Sequence, residues 1–220
     1  MSTVSVIDYG MGNLHSIAKA LQQVASPSQR ILVTHEPDQI LNADHIVFPG
    51  VGAMRDCMSQ LHALELAEVV REVSRQKPFL GICLGMQALL DRSDENNGID
   101  ALGIIPGHVR HFGIRLTSGD GAILKIPHMG WNRVNPVRPH PLWQGIPAGS
   151  WFYFVHSYHV CPSNAADQAA TTDYPLPFTS ALTHENLFAV QFHPEKSQSA
   201  GLRLLANFLA WDGTCNPSSI

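Results

Sequence analysis

Phe79-Leu80-Gly81-Ile82-Cys83-Leu84-Gly85-Met86-Gln87-Ala88-Leu89-Leu90 is the stretch whose reading decides the fold. The apolar run after Pro78 reads as a buried strand, and the segment after Cys83 as a helix. A strand that turns sharply into a helix, with a nucleophile at the bend and a glycine two residues to either side, is a nucleophile elbow. Gly81 and Gly85 let neighbouring chains pass close, and Cys83 is expected in a strained backbone conformation. A helix opening near Leu84 aims unpaired N–H groups at the thiol, which favours thiolate. Read alone, the stretch also fits a buried core cysteine, because free Cys is among the most buried residue types.

Upstream of the elbow, strand and helix alternate. Val4 to Asp8, Arg30 to Thr34 and His45 to Phe48 read as strands. Between the first two, Gly10-Met11-Gly12-Asn13 forms a loop, with Asn13 or Ser16 as cap of a helix whose apolar face is Leu14, Ile17, Ala18, Leu21 and Val24. The loop is not a dinucleotide fingerprint, since His15 stands where a third glycine belongs. Pro49-Gly50-Val51-Gly52 reads as a turn that ends the third strand, and helical patterns cover Met54 to Leu61 and Ala63 to Arg75. This alternation predicts an α/β fold of three layers, α/β/α, with a parallel sheet at the centre.

Downstream, after the polar loop Ser93 to Gly98, short extended pieces predict added mixed or antiparallel strands. They are Gly107 to Phe112, Ile123 to Ile126, Asn132 to Val137, Trp151 to Val160, Phe178 to His184 and Leu187 to Phe192. A closing helix spans about Ser199 to Trp211, with Leu202, Leu205, Ala206 and Leu209 inward. One domain over residues 1–212 and a disordered tail over 213–220 are expected.

Composition excludes some functions. The 220 residues carry a net charge of −4, which gives no footprint for nucleic acid. No run of about 18 apolar residues is present, so no membrane span is expected. Cys57, Cys83, Cys161 and Cys215 lack C-x-x-C spacing, and the start of the chain lacks the marks of an export signal. A reduced cytoplasmic protein is the expectation. His108 and His111, like His156 and His159, are three apart in extended segments and split across two faces. No metal and no cofactor are therefore expected.

A nucleophilic cysteine needs a base and a group that orients it. His193 ends an apolar strand and precedes Pro194, which keeps it extended. Positions i and i+2 of an extended segment share a face, so Glu195 can reach one ring nitrogen and leave the other for Cys83. The pair also fits a strand-end histidine beside a solvated carboxylate. The backbone N–H of Leu84 is one oxyanion donor, and the Gly50-Val51-Gly52 loop is the candidate for the second.

Pro49 to Gly52, Gly81 to Gln87 and His193-Pro194-Glu195, in that order, resemble the class I glutamine amidotransferase family over nearly the whole chain. The resemblance implies that Cys83, His193 and Glu195 form a catalytic triad acting on glutamine. It implies that Val51, Gly50 and Leu84 supply the oxyanion hole, and that Gly52, Gln87, Glu95, Ser157 and Tyr158 hold the amino-acid end of glutamine. Asp8 to Leu14, Pro127 to Asn132 and Glu195 to Ser197 resemble members that work in histidine biosynthesis. Their ammonia passes to a cyclase subunit, a (β/α)8 barrel, in a heterodimer, and Asn13, Trp131 and Lys196 match positions near that interface. Residues Arg115 to Ala122 form a longer connection than the family's usual one, expected on the surface. An amidotransferase of another pathway, a cysteine peptidase on the same fold and a non-catalytic interaction subunit are the competing readings.

Overall fold

The computed structural model describes residues 1–113, 116–117 and 123–215. The first half is built of β1 (Ser2–Ile7), α1 (Leu14–Val24), β2 (Gln29–Thr34), α2 (Pro37–Leu41), β3 (His45–Gly50), α3 (Met54–Ala63), α4 (Leu66–Gln76), β4 (Phe79–Cys83) and α5 (Leu84–Gln87). The second half adds short strands: β5 (Arg92–Ser93), β6 (Ile99–Asp100), β7 (Gly107–His111), β8 (Leu116–Thr117), β9 (Ile123–Leu124), β10 (His128–Pro136), β11 (Ser150–His156), β12 (Tyr158–Pro162), β13 (Gln168–Asp173), β14 (Pro177–His184) and β15 (Leu187–Val190). Helix α6 (Gln198–Ala210) closes the fold.

The strands β2, β1, β3, β4 and β15 lie side by side and parallel, with β4 near the centre. Their near-continuous apolar runs follow from burial on both faces. Successive side chains alternate between two cores. Val4, Val6, Val47, Leu80 and Ile82 meet α1 and α6 through Ile17, Leu21, Leu205 and Phe208. Ile7, Ile46, Phe48 and Phe79 meet α2, α3 and α4 through Ile40, Met58, Leu61 and Val70. Beyond β15 the pairing turns antiparallel through β14, which joins β13 and β12. A long ribbon of β10 and β11 leaves the sheet by way of β13.

Several local expectations change. Pro49 and Gly50 do not end the third strand but continue it, opposite Ile82 and Cys83. Pairing with β1 stops at Val47, so the missing N–H of Pro49 breaks no ladder on that side. Asn13 occupies the cap position of α1, yet its side chain caps nothing. The inward face of α6 is Leu204, Leu205, Phe208 and Leu209, while Leu202 and Ala206 are only half-buried. Trp151 to Val160 is two strands broken at Ser157. Helix α2 and strand β13 carry no clear period in their short segments, so neither is predicted by pattern. Of the Arg115–Ala122 connection, Leu116 and Thr117 pair with Leu124 and Ile123, and the rest lies outside the described residues. The expected tail is described as far as Cys215, with Trp211 Nε1 donating to the Thr214 carbonyl.

Candidate active site

Cys83 ends β4 with φ 55° and ψ −111°, a conformation that side chains other than glycine rarely adopt. Such a residue carries roughly 1–3 kcal/mol of strain, which the surrounding structure must hold. Tight packing does so. A side chain at Gly85 would run into the Phe48 carbonyl, and a Cβ at Gly81 would lie 3.0 Å from that of Ala189. The elbow is thus clamped between β3 and β15. Helix α5 lasts a single turn, because the chain leaves it at Ala88 for the loop toward β5.

His193 approaches from the end of β15. His193 is extended, with φ −102° and ψ 97°, as a residue before proline should be. Pro194–Lys196 then forms a turn of 3-10 helix. Glu195 reaches back through that turn, rather than along an extended chain, and its Oε1 lies 2.9 Å from His193 Nδ1. Both side chains are almost completely buried. The turn is anchored on β11: His193 N donates to the Tyr153 carbonyl, and Ser197 Oγ donates to the His193 carbonyl while accepting from Tyr153 N. A side chain at Gly201 would collide with the Pro194 carbonyl, so α6 packs flush on the turn.

Glu195 at Nδ1 leaves Nε2 of the ring for the Cys83 side, where it is buried with no hydrogen bond of normal geometry. Burial opposes a proton on this ring. The neighbouring Cys83 sulfur and the Glu195 carboxylate outweigh it and push the His193 pKa up to about 10.

Cys83 and His193 open onto a cavity of about 260 Å³, small enough to suit an amino acid rather than a nucleotide. Val51, Gly52, Leu84, Gln87, Glu95, Ser157 and Tyr158 line it with them. Gly50 does not: it belongs to the β3–β4 ladder and lines a smaller neighbouring hollow with Asn13, His193 and Glu195. Glu95 has a second task, since its Oε2 accepts from Met54 N at 2.8 Å and closes the start of α3, where Ala53 offers no side-chain acceptor. The Tyr158 carbonyl already accepts from Gln87 Nε2 at 3.1 Å and His156 Nδ1 at 2.8 Å.

Two residues beside this cavity were not read as part of the site from the sequence. His156 is buried at the cavity edge, and its Nε2 lies 2.9 Å from His128 Nδ1. Because His156 must donate to a carbonyl through Nδ1, its Nε2 accepts from His128. Gln191 is completely buried between Gln87 and Cys83. Its position two residues before His193 was the available signal.

Trp131 and Lys196 both lie against the Tyr153 ring. The Trp131 ring packs edge-on against Tyr153, and Lys196 Nζ sits 5.7 Å from the centre of the same ring. Asn13 is exposed at the mouth of the small hollow. Met129, Trp131 and Trp151 form an exposed apolar face on the β10–β11 ribbon.

Comparisons with known proteins give the family and the fold. The chain is 63% identical to the imidazole glycerol phosphate synthase subunit HisH of Methylococcus capsulatus, over 96% of this chain and 98% of that one. It is 56% identical to the HisH subunit of Nitrosococcus oceani, over 97% and 99%. Among solved structures, a glutamine amidotransferase superposes with a TM-score of 0.70 at 14% identity, over 94% of this chain and 99% of that one. PurLQS of Thermotoga maritima gives 0.67 at 15% identity, over 95% and 98%. The class I glutamine amidotransferase family model matches residues 5–211, so the chain belongs to the class I glutamine amidotransferases.

Proposed function

We propose that this chain is the glutaminase subunit of an imidazole glycerol phosphate synthase and that Cys83, His193 and Glu195 carry its chemistry. The observation that bears most weight is the convergence at one small cavity of a strained cysteine and a buried histidine held at 2.9 Å by a buried carboxylate. The Cys83 sulfur attacks the side-chain carbonyl carbon of glutamine. The backbone N–H groups of Leu84 and Val51 receive the developing oxyanion, with Gly50 setting the loop. The proton on His193 passes to the leaving nitrogen, which departs as ammonia and leaves a thioester on Cys83. Water then attacks the thioester with His193 as base, releasing glutamate and restoring the thiol. Glu195 keeps the ring oriented and stabilises its charge throughout. Gly52, Gln87, Glu95 and the Ser157–Tyr158 backbone hold the amino-acid end of glutamine. The Glu95 carboxylate suits the ligand's ammonium.

The ammonia has a destination. The exposed face of Met129, Trp131 and Trp151, with Lys196 and Asn13 beside the buried base, is the kind of apolar, aromatic surface a partner covers. In this reading the partner is a cyclase with a (β/α)8 barrel, which takes the ammonia in a heterodimer that serves histidine biosynthesis. No helix among the described residues is long and apolar enough to cross a membrane. The reading places the complex in the cytoplasm, where the free thiols stay reduced.

The test is Cys83→Ala in a complex with the cyclase. Glutamine-dependent synthesis should vanish while ammonia-dependent synthesis persists. Survival of both would remove Cys83 from the reaction, and loss of both would point to a structural role.

A further inference from the structure

Gln191 is completely buried beside the nucleophile, and the steps of glutamine hydrolysis give it no part. Its orientation follows from a chain of hydrogen bonds anchored on a backbone carbonyl. The Tyr158 carbonyl can only accept, so the Gln87 atom 3.1 Å away is the amide nitrogen. That nitrogen also faces one end of the Gln191 carboxamide at 3.0 Å, which makes that end the oxygen acceptor. The other end, 3.7 Å from Cys83 Sγ, is then the NH2 donor. The usual two-fold ambiguity of a side-chain amide is removed step by step.

We propose that Gln191 is a further residue of the catalytic site: its Nε2–H donates to the Cys83 sulfur, fixes it at the cavity wall and favours its negative charge. The inference rests on the reading of Cys83 as nucleophile. A carboxamide buried between the apolar residues Val190 and Phe192 is costly unless its polar atoms are bonded, and here both ends are. A donor aimed at a sulfur stabilises thiolate over thiol. The same carboxamide also fixes its neighbour. With its nitrogen held by Tyr158 and Gln191, Gln87 offers the cavity only its oxygen, an acceptor suited to an ammonium rather than a carboxylate.

The test follows alkylation of Cys83 by iodoacetamide from about pH 5 to about pH 9, read by mass spectrometry of the Cys83 peptide, in the full chain and in Gln191→Glu. Glutaminase activity is assayed in parallel with the cyclase subunit present. Gln191→Glu keeps the acceptor for Gln87 and puts an acceptor where the donor stood. Its alkylation at pH 7 should fall about 10-fold, the midpoint of the profile should move to higher pH, and kcat should fall more than KM rises. Gln191→Met removes the donor without adding charge and should shift the profile in the same direction by less. It decides the matter if the glutamate variant does not fold. An unmoved profile in folded variants, even with reduced kcat, would overturn the proposal and leave Gln191 a packing residue. Should alkylation of Cys83 in the unaltered chain leave glutaminase activity intact, the nucleophile assignment itself would fail, a separate result.

Discussion

At Cys83 a positive φ is held on a residue with a side chain, and the strain can be measured apart from the chemistry. Cys83→Ala and Cys83→Gly both remove the thiol, but only glycine tolerates φ 55° without steric cost. Cys83→Gly should therefore be the more stable of the two by about 1 kcal/mol, measured by urea denaturation. Equal stabilities would mean that the elbow relaxes and holds no strain. The clamp that prevents relaxation is close packing: a side chain at Gly85 would meet the Phe48 carbonyl, and one at Gly50 would meet the Tyr9 hydroxyl and the Gly85 backbone. The cysteine and its two glycines were legible in the sequence. Which chain each glycine admits was not, since Phe48 and Ala189 come from strands distant in sequence.

The elements that carry the site are short and borrow stability from one another. Helix α3 has no side-chain cap of its own and takes one from Glu95, in the loop after β5. Glu95→Ala should cost about 1 kcal/mol of stability by leaving Met54 N unpaired. Glu95→Gln keeps an oxygen for Met54 N and should recover most of that. Both should raise KM for glutamine, because both remove the charge that would face the ligand ammonium. Thermal melts and glutaminase kinetics on the two variants separate the tasks, and a KM unchanged in both would leave Glu95 a cap alone. The dual role was not readable from a sequence in which Met54 and Glu95 are far apart. The turn after His193 shows a different kind of miss. The expected contact between His193 and Glu195 forms, but through a 3-10 turn pinned by Ser197 and Tyr153. Local spacing placed the partners, and packing of β11 and α6 chose the geometry.

Across the molecule, four buried histidines give stability opposite dependences on pH. His128, His140 and His156 are each lowered by burial, to about 4, about 4 and about 3. Each is below its unfolded value, so between there and roughly pH 6.5 the unfolded chain binds more protons. Their contribution is present above pH 6.5 and is lost as pH falls through that window. All three act in the same direction, so acid weakens the fold through each of them. His193 works the other way: with its pKa raised to about 10, its contribution is present below pH 6.5 and is lost as pH rises through 10. Urea midpoints measured against pH should peak near neutrality and fall steeply below about pH 6, with net proton uptake on unfolding at pH 5. A flat profile from pH 4 to 6.5 would contradict the neutral histidine chain that runs from Asn132 through His128 and His156 to the Tyr158 carbonyl.

The sequence by itself determined the alternation of strands and helices, the elbow at Cys83, the extended His193 before Pro194 and the family. All of these rest on local pattern: periodicity, glycine and proline placement, and residues within a few positions of one another. Tertiary structure alone decided how the pieces meet. It carried β3 through Pro49 to lie against Cys83, lent Glu95 to α3, and committed the Tyr158 carbonyl to Gln87. It also placed the Gln191 carboxamide on the Cys83 sulfur. Each of these joins residues distant in the chain, where buried polar atoms must find partners and no local pattern names them.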